Sequence, residues 1–276
     1  MIMGKKTVLR LAAYALALMA CAQGFAAEKS GLSWMLPEGI TTFADKVDTL
    51  FYTLMYTTII VFGIVVAVLL FFCIRYRRTP GAKAYYTHGD SWKATALTGT
   101  LAMMVFLGID MNTVRLSKAA SADMENHPDY KDAVHVQLLA KQFAWVFRYP
   151  GPDGKFGRVD SKAATDDNWF GVDEKDPAEA DDIQVEGYLV IPVGKPVMIE
   201  IRSKDVIHSF FIAAIRFKQD AVPGMKTNIW FSPRKTGEYE IVCAELCGAQ
   251  HSQMGGKMRV MNTQEECDNF LKKFAR

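Results

Sequence analysis

Residues 237–262 read "GEYEIVCAELCGAQHSQMGGKMRVMN", and they divide into strand, loop and strand. In the first part Tyr239, Ile241 and Cys243 fall on one side of a period-two alternation, as in a half-buried strand. The last part, from Gly256, reads as a short closing strand. Between them, residues 243–254 hold two cysteines, a glutamate, a histidine and a methionine. A disulfide needs only the cysteines, and a hydrophobic core needs none of the polar groups. The loop is therefore read as a ligand loop carried by two strands.

The same alternation extends outward. Val197, Ile199 and Ile201 alternate with Met198, Glu200 and Arg202. Turn signals at Pro192-Val193-Gly194, Pro223-Gly224, Pro233 and Gly237 separate the runs. Short strands with frequent turns from about Val134 onward predict an all-β sandwich or barrel over 120–276. Only Gln264 to Phe274 reads as helix. Residues 165–182 carry eight acidic residues against one lysine. Such a charge run reads as a solvated surface loop, or as a docking patch for a basic partner through Asp173, Glu174 and Asp176.

Before residue 112 the chain is different. Lys5, Lys6 and Arg10 precede a short apolar stretch and small residues, the pattern of a secretory leader over 1–27. Cys21 also resembles a lipidation site. A periplasmic segment at 28–50 is followed by an uncharged run, Phe51 to Ile74, long enough to cross a bilayer. A second, weaker span covers 93–112. The loop between them, 75–92, holds Arg75, Arg77, Arg78 and Lys83, with Lys93 just beyond it. The positive-inside rule therefore places it in the cytoplasm. The β-domain then lies on the outer side, which in a bacterial inner membrane is the periplasm. The 276 residues carry a net charge of only +2, which argues against nucleic acid as a partner.

Thiolate, imidazole and thioether together form a ligand set suited to copper. A single blue-copper site would use one cysteine, and this loop has one too many. Two thiolates can instead bridge two copper ions, each needing its own histidine. His251 supplies one. Of the others, His88 is cytoplasmic, His127 lies in a polar linker and His135 sits within a strand. His208, in "DVIHSF", follows a strand among apolar residues and is the best second ligand.

"CAELCGAQHSQM" and the earlier "DVIHSFFIAAIRFKQDAVPGM" resemble the copper segments of subunit II of haem-copper cytochrome c oxidases. The resemblance implies a two-helix transmembrane hairpin followed by a cupredoxin-like Greek-key domain with a binuclear Cu-A centre. In that reading Cys243 and Cys247 bridge the coppers, and His208 and His251 bind one each. Met254 and the main-chain carbonyl of Glu245 are the weak ligands. The Glu245 carboxylate would reach a magnesium ion shared with subunit I. The implied role is electron transfer from a c-type cytochrome to haem in subunit I, for oxygen reduction coupled to proton translocation.

Three departures stand beside the match. The family's Q-W-x-W stretch appears as "KQFAW", so Gln142 and Trp145 align while Phe143 stands where the tryptophan that first receives the electron is expected. The glutamate that often opens the second helix is replaced by "HGDSW", leaving Asp90 or His88. The acidic insertion is also atypical. No C-x-x-C-H is present, so no haem c is attached to this sequence. Two other readings remain: a Cu-A subunit of a nitric oxide reductase type complex, and a membrane-tethered copper carrier.

Overall fold

The computed structural model describes residues 35–81, 83, 86, 91–125, 133–165 and 167–274. The expected leader, Cys21, His88, Asp90 and His127 lie outside the described residues.

Helix α1 (Ala44–Arg75) has 32 residues, about 48 Å of helix at 1.5 Å per residue. That exceeds a hydrocarbon core of about 30 Å. The surplus lies largely at the N-terminal end, before the uncharged run begins at Phe51. Asp45 in its first turn and Arg75 in its last both complement the helix dipole. Helix α2 (Trp92–Val105) passes through a π turn (Phe106–Asp110) into α3 (Met111–Glu125). The helix therefore runs well past the stretch predicted from apolarity alone, because α3 is largely polar yet keeps strong helix formers. Both Ala44–Arg75 and Trp92–Lys118 are long and apolar enough to cross a membrane.

The β-domain has two five-stranded sheets. The first runs in the order β3 (Ile183–Glu186), β2 (Ala144–Tyr149), β1 (Val134–Lys141), β5 (Val197–Ser203), β8 (Thr227–Phe231). The second runs β4 (Tyr188–Pro192), β10 (Gly255–Met261), β9 (Gly237–Cys243), β6 (His208–Ile212), β7 (Phe217–Ala221). The β1–β5 and β10–β4 pairs are parallel and the rest antiparallel. Parallel neighbours need crossover connections, which gives this sandwich its mixed topology. The expected alternation in β5 holds, with Val197, Ile199 and Ile201 buried. Together with Leu138, Trp145, Phe147, Phe210, Ile241 and Met258 they fill one core. Helix α4 (Gln264–Leu271) closes the end, capped by the Thr263 side chain on the Glu266 amide.

Two segments carry structure that their sequence does not announce. Residues 38–48, within the expected 28–50 segment, pack into the β-domain. Ile40, Phe43 and Ala44 are buried, and Phe43 meets Trp230 edge to face at 6.3 Å. The Ile40 amide donates to the Ala214 carbonyl, and the Arg234 amide to the Ile40 carbonyl. Asp48 on α1 receives two guanidinium hydrogen bonds from the nearly buried Arg216, at 2.5 and 3.0 Å. Arg216 itself holds φ of 57°, an unusual conformation for a residue with a Cβ. The first membrane helix is thereby clamped to the β-domain. Asp48→Ala is expected to lower stability by about 2 kcal/mol, the scale of charge-assisted hydrogen bonds. It should also open the 38–48 segment to protease. Wild-type resistance to proteolysis in the variant would overturn the clamp.

The acidic stretch is likewise not a bare solvated loop. Phe170 and Val172 are buried against Leu139 and Val146, on the face of the first sheet away from the main core, with Val159 and Trp169 beside them. Its carboxylates are engaged in building it. Asp173 and Asp176 pair with Arg158 at 3.0 and 3.1 Å, and Glu179 and Asp182 both pair with the buried Arg148.

Candidate metal centre

Strands β6 and β9 are antiparallel neighbours, with Phe210 opposite Cys243. His208 opens β6 and Cys243 ends β9, so both emerge at one end of the second sheet. The β9–β10 connection folds back over that end. The Cys243 amide donates to the Met254 carbonyl, and the Ala244 amide to the Ser209 carbonyl. Gly248 holds φ of 138°, and a Cβ there would come within 2.9 Å of the Gln142 side-chain Nε2 and 3.0 Å of the Phe143 ring. Glycine is what lets the loop close against the β1–β2 hairpin.

This folding gathers soft donors. Cys243 Sγ and Cys247 Sγ are 3.8 Å apart, and both cysteines are free and buried. Cys247 Sγ lies 3.6 Å from His251 Nδ1 and 3.7 Å from Met254 Sδ. His208, Cys243 and Cys247 place their donor atoms within 4.8 Å of one another. Two sulfurs each about 2.3 Å from a shared tetrahedral metal would stand about 3.8 Å apart. A disulfide would require about 2.05 Å. The separation excludes a disulfide and leaves room for two thiolates on a common metal.

His208 supplies an independent sign. It has no solvent exposure, and its Nδ1 is buried without a hydrogen-bond partner. Its other nitrogen, Nε2, is 2.8 Å from Asp205 Oδ1. An orphaned buried nitrogen is unfavourable unless a ligand completes it, and metal-bound histidines commonly have their second nitrogen fixed by a carboxylate. The residues present thus fit a copper centre. Burial and the neighbouring Cys243 thiol push the Cys247 thiol up to about 11, so metal binding here must release protons.

Asp205 was not singled out by sequence, although the signal was an aspartate three residues before the histidine. Its Oδ2 accepts from the Gln142 amide at 2.6 Å, and Oδ1 from the Val206 amide at 2.7 Å. Gln142 Nε2 in turn donates to the Cys247 carbonyl at 2.6 Å. Burial opposes ionisation of Asp205, but the bonds from His208, Gln142 and Val206 outweigh it and hold the carboxyl below its usual range. Asp205→Ala is expected to weaken copper binding about 10- to 100-fold, measured by competition with a chelator. Unchanged affinity would remove Asp205 from the site.

The remaining candidates are placed as follows. Glu245 is exposed, and its carbonyl oxygen lies 3.2 Å from Cys243 Sγ. Trp145 is fully buried, its ring 6.1 Å from that of His208 and 5.6 Å from Phe210, both edge to face. Phe143 is partly buried and packs against the core. Glu174 is exposed, whereas Asp173 and Asp176 are paired with Arg158.

Residues 134–260 match the model of the family described as cytochrome c oxidase subunit II, periplasmic domain. The alternative cytochrome c oxidase subunit 2 of Bradyrhizobium diazoefficiens is 44% identical over 130 residues, 47% of each chain. Cytochrome c oxidase subunit 2 of Alkalihalophilus pseudofirmus is 28% identical over 221 residues, 78% of this chain and 56% of that one. The chain thus spans about half the length of these curated relatives. The crystal structure of the periplasmic domain of cytochrome oxidase subunit II from Bradyrhizobium japonicum is 28% identical, covering 52% of this chain and 94% of that one with a TM-score of 0.38.

Proposed function

From the match of residues 134–260 to the cytochrome c oxidase subunit II periplasmic domain, we propose that the chain belongs to that family and is the electron-transfer subunit of a bacterial terminal oxidase. The observation that carries this reading is the soft-donor cluster at the end of β6 and β9, with the orphaned Nδ1 of His208 beside it. His208, Cys243, Cys247, His251, Met254 and the Glu245 carbonyl would hold a copper pair. When bound, such a pair supplies a one-electron redox centre. The chain's own part is to hold the donors rigidly and dry, so that a change of oxidation state displaces them little. Cys243, Cys247 and Met254 are buried, and Trp145 and Phe210 wall the His208 side.

In this reading a c-type cytochrome delivers the electron at the outer face, and haem in subunit I receives it for oxygen reduction with proton translocation. The buried Trp145 lies behind His208, while Phe143 sits nearer the surface. Donor steering by the acidic segment is weaker than its composition implies, because Arg158 pairs with Asp173 and Asp176 and offsets one of their two charges. The exposed Glu245 carboxylate is available to a magnesium ion shared with subunit I. The two helices anchor the chain in the bacterial inner membrane, with the β-domain in the periplasm and the basic 75–93 loop inside.

The experiment is purification of the full chain with its membrane partners in mild detergent. The expected preparation contains haem, oxidises a reduced c-type cytochrome with oxygen uptake, and gives a paramagnetic signal from one electron shared by two copper nuclei. A signal localised on a single copper, or oxidation absent from a haem-containing preparation, would overturn the reading.

A further inference from the structure

The two segments that steady His208 are themselves poorly covered. Asp205, Val206 and Ile207 are exposed, and the hydrogen bonds from the Gln142 and Val206 amides to Asp205 lie at the surface. Surface hydrogen bonds compete with water and hold little by themselves. Yet these bonds set the distance between the hairpin tip, the histidine and the Cys247 carbonyl. The β1–β5 ladder ends at Ala140 and Ser203, so the segments just beyond it, around 141 and 204, draw further support from outside that ladder.

The loop segments 160–165 and 167–172 touch both, through Thr165 and Trp169. Lys141, next to Gln142, lays its ammonium 3.5 Å from the centre of the Trp169 ring and pairs with Glu186 at 3.2 Å. Lys204, next to Asp205, donates through Nζ to the Thr165 carbonyl at 3.1 Å. The Lys204 amide donates to the Ala140 carbonyl, so the two segments are neighbours in the sheet. The loop is itself stiff. Asn168 exchanges side-chain bonds with both the amide and the carbonyl of Val172 at 2.8 Å. The Asp160 amide donates to the Gly171 carbonyl, and Gly171, at φ of 67°, approaches so closely that a Cβ would lie 2.0 Å from the Asp160 carbonyl. Phe170 and Val172 anchor the loop in the outer core.

We propose that the segments 160–165 and 167–172 form a brace for the metal centre. Trp169 and Lys204 are positioning residues that fix Gln142 and Asp205, and through them His208 and the Cys247 loop. This rests on reading the donor cluster as a copper site, but the mechanical part can be tested without metal. In this role the acidic segment serves the site by contact, not by long-range charge.

The test is amide hydrogen exchange on the full copper-free chain in detergent, comparing wild type, Trp169→Ala, Trp169→Phe and Lys204→Ala. A cation over an indole face, partly desolvated, is strong enough that its loss should speed exchange at the Gln142 amide roughly tenfold. The Val260 amide, in the other sheet, should exchange at the wild-type rate. Trp169→Phe, which keeps an aromatic face, should restore most of the protection, and Lys204→Ala should act in the same direction as Trp169→Ala. Equal acceleration at Val260 would mean general destabilisation, and no acceleration at Gln142 would mean no brace; either overturns the proposal. After copper loading, Trp169→Ala should alter the hyperfine pattern and Trp169→Phe should keep it. An unaltered pattern in Trp169→Ala would overturn the positioning role. A wild-type chain that binds no copper would instead sink the functional reading, leaving the exchange comparison intact.

Discussion

Cys247→Ser is expected to abolish the proposed copper pair while leaving the β-domain folded. Cys247 is the hub of the donor set, with Cys243, His251 and Met254 all within 3.8 Å of its sulfur. Without it those three donors no longer have a common neighbour. Serine is close in size but offers a hard oxygen, which copper in a soft site does not prefer. The penalty to the metal-free fold should stay small, on the order of 1–3 kcal/mol for a hydroxyl in a largely buried place. Metal analysis should fall from the two coppers per chain that the proposed centre requires to one or none, with loss of the shared paramagnetic signal. Met254→Leu is the contrast, because a weak ligand tunes a centre more than it holds it. It should retain copper and shift the reduction potential. Full copper content and an unchanged signal in Cys247→Ser would refute the bridging role.

The ligand loop was legible because its chemistry is local. Its donors fall within twelve residues, and alternation in the flanking strands told which side of β9 carries Cys243. The helices were legible for the same reason, since a bilayer reads apolar length. What could not be read were partnerships across long sequence separation. Asp48 and Arg216 are 168 residues apart, so nothing in "ADKVDTLFY" announces a clamp. The packing and pairing within the acidic stretch could not be read, because composition counts charges without pairing them. Arg148 lies inside an apolar strand, where a sequence pattern offers no reason for it, and its partners Glu179 and Asp182 look like solvent-facing residues until the chain folds back. Asp205 fell between the two cases: it is near His208 in sequence, but Gln142 comes from another hairpin.

Arg148→Ala is the substitution with the largest expected effect on stability. The side chain has no solvent exposure. It donates to Gln137 and the Gly157 carbonyl at 3.0 Å, to Glu179 at 2.6 Å, and to Asp182, whose side chain is also fully buried. It thereby ties both arms of the insertion to β2. Removing the cation leaves buried carboxylates without a counter-charge, a change that typically costs about 3–5 kcal/mol. Acid should reveal the cause. Burial raises the Glu179 carboxyl above its ordinary 4.5, with Arg148 pulling the other way and Asp182 adding to the rise. A carboxyl raised in the folded state contributes stability below its unfolded value and loses it as pH rises through the folded one. Without Arg148 that rise should grow, so the deficit of Arg148→Ala should be widest at neutral pH and narrow as pH falls toward about 4.5. Denaturant unfolding of the full chain at several pH values measures this. Adding Glu179→Gln and Asp182→Asn should recover part of the loss and flatten its pH dependence. A deficit that is the same at every pH would mean that Arg148 acts through packing against Phe156 and Phe170, and that the buried charge cluster does not hold the insertion.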